Sequence, residues 1–259
     1  MLHSKSLVVL VIFLSFFFMS CNKNNVISPN DVSPQKQLAK IVQDSNNYIE
    51  LSYKNDKLLE YKNINNSNLY ISITLNYNGN SKPQSEYYSS DSDNLVKYYY
   101  YDSLSSLDST VIMLKDSTNS YKLDGHLSYY YNNQNQLLKV KQYNVENNLL
   151  FTTEYSYDAV GNIIEVHVFG LNGYDELTTM EYDNKINPWH SLKDYFHYDI
   201  SFSNNNLKSA TTTYANNPLQ NTQTEYSYTY GSNGYPLTCK IETTVGGNKS
   251  IINEKFEYQ

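Results

Sequence analysis

The stretch Phe151-Thr-Thr-Glu-Tyr155-Ser-Tyr157-Asp158-Ala-Val-Gly161-Asn162-Ile163-Ile164-Glu-Val166-His-Val168 decides the fold. Side chains of an extended chain alternate, so Phe151, Thr153, Tyr155 and Tyr157 share one face, and Thr152, Glu154 and Ser156 the other. A helix of 3.6 residues per turn would scatter the same residues around its axis. After the polar Asp158–Asn162 turn, Ile164, Val166 and Val168 alternate with Ile163, Glu165, His167 and Phe169. Asp, Asn and Gly tolerate tight-turn dihedrals, so the stretch reads as a hairpin.

The unit recurs. Aromatic doublets or their relatives, each followed by a polar turn, place a second aromatic at 53, 77, 101, 131, 157, 182, 202, 230 and 258, in steps of 20 to 30 residues. Such a repeat holds two strands and two turns. Nine of them predict roughly sixteen to eighteen strands, the first being Leu38 to Gln43. Consecutive hairpins favour an antiparallel meander. A flat sheet would expose its tyrosine face, so the reading is an all-β chain whose sheet curls into a roll or incomplete barrel, tyrosines inward and Ser, Thr, Asn, Glu and Lys outward.

Tyr155-Ser-Tyr157-Asp158-Ala-Val-Gly161-Asn162-Ile163 resembles the YD repeat of Rhs-type and teneurin-like proteins, whose units share a Tyr-x-Tyr-Asp-x-x-Gly-Asn core. The other copies are degenerate: Asp stands at 102, 158 and 183, Asn at 78 and 132. With Tyr182-Asp-Asn-Lys-Ile-Asn-Pro188-Trp189 and the N-terminal segment below, residues 38–259 are similar to Bacteroidota-type lipoproteins that carry YD-like hairpins after a signal peptide. That resemblance implies architecture and carries no function over, since the family has no agreed one. Large YD-repeat proteins build hollow β-shells, for which this chain is far too short, so only the hairpin carries over.

The N-terminus reads as an export signal. Lys5 precedes Leu7–Met19, thirteen residues that are apolar but for Ser15, too short to span a bilayer comfortably but suited to a signal h-region. Phe18-Met19-Ser20-Cys21 resembles a lipobox, with the small residue kept before Cys and two departures from the common form. An ordinary secretory peptide and a buried helix are the competing readings. Position, length, charge and cysteine together favour cleavage before Cys21 and lipidation of its sulfur. The polar residues 22–36 then form a flexible tether, and 37–259 the repeat domain. The expected partner is therefore the bilayer, through acylated Cys21. An outer-membrane lipoprotein is expected, its periplasmic or cell-surface face left open.

Charge narrows the function. The chain has no Arg, and beyond residue 20 its 18 Lys stand against 26 acidic residues. An acidic chain without Arg is a poor nucleic-acid binder. With Cys21 lipidated, Cys239 has no disulfide partner and reads as a small apolar strand residue. No phosphate loop, dinucleotide fingerprint, zinc motif or nucleophile elbow is present, so neither cofactor nor enzyme activity is expected. Asp91-Ser-Asp93-Asn94 lacks the glycine of a calcium loop and reads as a solvated loop. His190 and His197, around Lys193, Asp194 and Tyr195, form a weak candidate hydrolase site. Trp189, the only Trp, has two readings: a plug at the end of the sheet, which is favoured because large aromatics mostly serve burial, and a platform for stacking a glycan. The leading expectation is a non-enzymatic envelope lipoprotein with a structural or binding role. A carbohydrate-binding module is the alternative, distinguished by a cluster of solvent-exposed tyrosines.

Overall fold

The computed structural model describes residues 37–259 except 80, 91–93, 117–119, 194 and 196–202. Cys21, the expected signal peptide and tether, the Asp91–Asp93 loop, Asp194, His197 and Phe202 lie outside the described residues.

Sixteen strands follow one another around a ring: β1 Leu38–Val42, β2 Tyr48–Lys54, β3 Lys57–Asn65, β4 Asn68–Asn76, β5 Ser85–Ser90, β6 Asn94–Tyr101, β7 Leu107–Lys115, β8 Tyr121–Tyr131, β9 Leu137–Asn144, β10 Leu149–Tyr157, β11 Ile163–Gly170, β12 Asp175–Ile186, β13 Asn205–Tyr214, β14 Thr222–Tyr230, β15 Pro236–Val245 and β16 Asn248–Tyr258. Each pairs antiparallel with the next, and β1 pairs with β16 through Leu38–Tyr258, Lys40–Glu257 and Ile41–Phe256. The meander expected from the repeats is present. The curled sheet expected as a roll or incomplete barrel is present and, beyond that expectation, closes into a barrel. Closure removes both sheet edges, whose unpaired amides and carbonyls would otherwise face water. Gln37 and Gln259 extend the seam by exchanging backbone hydrogen bonds.

The turns explain the repeat's consensus. In Asp158–Asn162 the carboxylate Oδ1 accepts the amides of Val160 and Asn162, both at 2.9 Å. Asp102 does the same for Leu104 and Ser106, and Asn132 for Gln134 and Gln136. The fourth turn residue is left-handed, Gly161 at φ +91°, with Ser105, Asn135 and Gly234 equivalent. That backbone favours Gly or Asn. The repeat's acidic residue is thus spent on turn amides.

The doublet tyrosines clamp one hairpin to the previous one. The hydroxyls of Tyr53, Tyr77, Tyr101, Tyr157, Tyr182 and Tyr258 donate to the carbonyls of Leu38, Leu58, Pro83, Leu137, Ile163 and Pro236, at 2.6 to 2.9 Å. Leu38 opens β1 and Pro83 lies just before β5, while Leu58, Leu137, Ile163 and Pro236 lie at the starts of β3, β9, β11 and β15. Because the doublets end the even-numbered strands, these clamps ring one end of the barrel, the end that also holds both termini of the domain.

Every strand contributes to one contiguous buried cluster, from Leu38 and Ile41 on β1 to Phe256 on β16. A cylinder of sixteen strands leaves an aqueous channel when its inner side chains do not meet. Here they pack, so the interior is a core. The wall formed by β14 and β15 is polar outside: Gln223, Glu225, Ser227, Thr229, Thr238, Lys240 and Glu242 alternate with the inward Thr224, Tyr226, Tyr228, Cys239 and Ile241. A membrane-spanning barrel requires the opposite, an apolar outer band.

Candidate functional site: an aromatic outer wall

On the opposite side the outer wall changes character. Tyr99 on β6 and Tyr129 on β8 are buried, with the half-buried Tyr101 and Tyr131 beside them on the core. Alternation then forces the residues between them outward. Tyr98, Tyr100 and Tyr130 are exposed, as are Tyr87 on β5 and Tyr121 on β8, the five spanning 37% to 52% of full exposure. The expectation that tyrosines face inward therefore holds for the doublets and fails for the residues interleaved with them.

Strand register places these rings side by side. Tyr98 is opposite Val111, Val111 opposite His126, and His126 opposite Tyr143. One row nearer the strand tips, Tyr87 faces Val96, which faces Met113, which faces Leu123. On the other side Tyr100 faces Ser109, and Ser109 faces Ser128. The wall is rings and aliphatics with hydroxyls at its margin.

The rings support one another. His126 stacks on Tyr143 with centroids 4.7 Å apart and planes 9° from parallel. Lys141 holds its ammonium 5.5 Å from the centre of the Tyr130 ring. Desolvation, then a hydrogen bond with Tyr87, pushes the Tyr121 phenol up to about 12. Tyr143 is raised likewise, first by desolvation and then by the nearby Tyr130. These phenols are neutral at physiological pH, and each pairs an apolar face with a hydroxyl that stays wet. Gly125 permits the close approach of β8 to β9, since a Cβ there would lie 2.2 Å from the Tyr143 carbonyl oxygen.

The residues singled out by sequence sit elsewhere. Trp189 lies in a 3-10 turn, Pro188–Leu192, capped by Asn187, whose side chain accepts the Trp189 amide at 3.0 Å. Its indole is 5% exposed and belongs to the core cluster. A ring so covered offers no face for stacking a glycan. The segment crosses the clamped end of the barrel: Tyr195 packs edge-on against Tyr77 and donates to the Asp56 carbonyl. His190 lies near the Lys193 ammonium at 3.2 Å on the surface. Cys239 is buried on β15, and burial pushes its thiol far up, away from a nucleophilic thiolate. Among the described residues no group of three or more His, Cys, Asp or Glu could hold a metal.

The sequence did carry a signal for the wall. Tyr98-Tyr99-Tyr100-Tyr101 and Tyr129-Tyr130-Tyr131 are continuous runs, and a doublet with a third ring between must present that ring on the other face.

No family model matches the sequence, and a search of curated proteins finds no relative. Among solved structures, a porin-like protein from Bacteroides uniformis is similar in fold, at TM-score 0.55 and 12% identity over 87% of this chain and 98% of that one. A porin-like protein from Bacteroides vulgatus matches at TM-score 0.40 and 13% identity, over 86% and 99%. A chain of a TcdB2-TccC3-Cdc42 structure matches at 0.32 and 12%, over 79% and 14%.

Proposed function

We propose that this chain is a non-enzymatic binding protein of the bacterial outer membrane, tethered by lipid on Cys21, which takes glycan on its aromatic outer wall. The exposed tyrosines of β5, β6 and β8 carry the reading. Rings of this size are normally buried, and a contiguous exposed aromatic patch marks an interaction surface. Tyr faces suit the C–H faces of sugar rings, and the hydroxyls of Tyr98, Tyr100, Ser109 and Ser128 suit their hydroxyls.

The packed interior and the polar β14–β15 wall support a barrel that stands in water beside the membrane rather than one that spans it or conducts through its centre. The porin-like fold neighbour supports an envelope setting. Trp189, Leu192 and Tyr195 serve as a plug over the clamped end.

Affinity electrophoresis in envelope and plant polysaccharides, backed by a glycan array, tests the wall. Tyr98→Ala with Tyr100→Ala should abolish retardation while leaving the melting temperature near wild type. Retardation equal to wild type would remove glycan binding from this wall. Labelling with an alkynyl fatty acid tests the tether: the full chain should take label and sediment with membranes, and Cys21→Ser should do neither.

A further inference from the structure

Two carboxylates are buried inside the barrel, and their surroundings differ. Glu86 on β5 receives the Lys97 ammonium at 2.8 Å and the Tyr99 hydroxyl. Glu254 on β16 is 3% exposed. Its Oε1 accepts the Gln43 amide at 2.9 Å, and its Oε2 has no hydrogen-bond partner among the described residues. A buried carboxylate oxygen left without a donor is costly, and among the described residues no ion pair reaches it. The titratable groups around it are Tyr226 and Tyr228 on β14 and Cys239 on β15, all kept uncharged by burial, with Tyr48 and Tyr70 at the far side and Lys240 and Lys255 on a second, more open cavity that Glu254 also borders.

A cavity of about 110 Å³ lies against Glu254, at the end of the barrel away from the termini. Ile41, Ile49 and Ile64 give it apolar walls, and Gln43 and Asn63 line it beside the carboxyl. We propose that this cavity is a binding site for a small primary alkylammonium, with its nitrogen on the Glu254 carboxylate and its carbon against the three isoleucines.

Glu86 shows what a carboxylate in this interior takes as a partner, and Lys97 supplies it there. At Glu254 the described residues supply none, so the complement is an ammonium from outside. An ammonium has three donors. One meets Glu254, and the amide oxygens of Gln43, whose nitrogen is already turned to the carboxyl, and of Asn63 can accept the others. The ring of Tyr48 already carries the Lys40 ammonium at 3.8 Å, which leaves the carboxyl as the recognition element. A metal ion would want several hard anionic oxygens, and the site has one carboxyl. The volume, a few waters' worth, limits the ligand to a few heavy atoms.

Burial, opposed by the Gln43 hydrogen bond, pushes Glu254 up to about 8. The empty site therefore holds mostly the protonated acid at pH 7. Ammonium binding selects the ionised form and releases that proton to solvent.

Calorimetric titration of the full chain with ethylammonium chloride at pH 7 and pH 9, with ethanol and acetate as neutral and anionic matches, is the test. The expected result is saturable one-to-one binding of ethylammonium alone, about tenfold tighter at pH 9, as the ionised fraction rises. At pH 7 the heat should depend on the buffer, reporting one released proton. Glu254→Gln should abolish binding and still melt cooperatively. If that variant does not fold, proton release by the wild type decides, since it needs an acid that ionises on binding. No saturable ethylammonium binding, equal binding of ethanol, binding without proton release at pH 7, or undiminished binding by folded Glu254→Gln would each overturn the site.

Discussion

The walls β5–β9 and β13–β16 are built by the same repeat, in the same meander, with the same inward doublets, yet their outer faces are opposites. Outward on β6 stand Val96, Tyr98 and Tyr100; outward on β14 stand Gln223, Glu225, Ser227 and Thr229. The polar wall shows that the barrel folds with small and charged residues outside. The aromatic wall is therefore not required by the fold, and what it presents is available for binding. The difference continues inside, where the aromatic half holds a carboxylate paired with lysine and the other half holds a carboxyl whose described partner is the Gln43 amide.

The largest effect separates the two faces of one strand. Tyr99 is buried in the core cluster and Tyr98 beside it is exposed. Tyr99→Ala should cost roughly 3–5 kcal/mol, the usual loss for a buried aromatic, and should unpair Glu86 from its hydroxyl. Tyr98→Ala should stay within about 0.5 kcal/mol. Equal losses in chemical denaturation would show that the inner and outer assignments are wrong.

The interior contrast is read by pH. Burial raises the Glu254 carboxyl from the ordinary 4.5 to about 8. Below the lower value both folded and unfolded chains hold the proton. Between the two the unfolded chain loses it and the folded chain keeps it, so stability falls as pH rises, levelling above about 8. Glu254→Gln removes this slope. Its melting temperature should match wild type near pH 4.5 and exceed it increasingly up to pH 8, by an amount worth a few kcal/mol. A constant offset across that window would mean the carboxyl does not titrate there.

Below these comes the Asx turn between β10 and β11, which lies between the two walls. Asp158→Ala deletes the acceptor of two turn amides and should cost about 1–2 kcal/mol, as losing a helix cap does. Asp158→Asn, which keeps Oδ1 as acceptor, should restore most of it. Failure of Asn to rescue would point to charge rather than amide capping.

Much of this fold was legible, and the reason is local. The i, i+2 spacing of Tyr155 and Tyr157 fixes a face, and Asp158 and Gly161 fix a turn, because each acts within a few residues of itself. Ring closure was not legible. It depends on Leu38 meeting Tyr258 across the whole chain, and nothing near either residue announces the other. The candidate site was half legible. Tyr100 and Tyr130 had to face away from their neighbours, but the row Tyr98–Val111–His126–Tyr143 exists only once β6 to β9 are in register. Glu254 was invisible, since its lone carboxyl is defined by Gln43 on the other side of the seam.

The smallest expected effect tests the polar wall by itself. Lys240 and Lys249 both reach Glu242, at 3.1 and 2.6 Å, and hold its carboxyl below the usual range, mainly through the Lys249 hydrogen bond. The three lie at the surface, where water and salt screen the attraction and ordering long side chains offsets it. Glu242→Gln should therefore leave the melting temperature unmoved at both low and high salt. It should also leave polysaccharide retardation unmoved, because β15 lies on the wall without rings. A loss of retardation in Glu242→Gln would place the binding surface on the charged wall and strip the tyrosines of the role given to them.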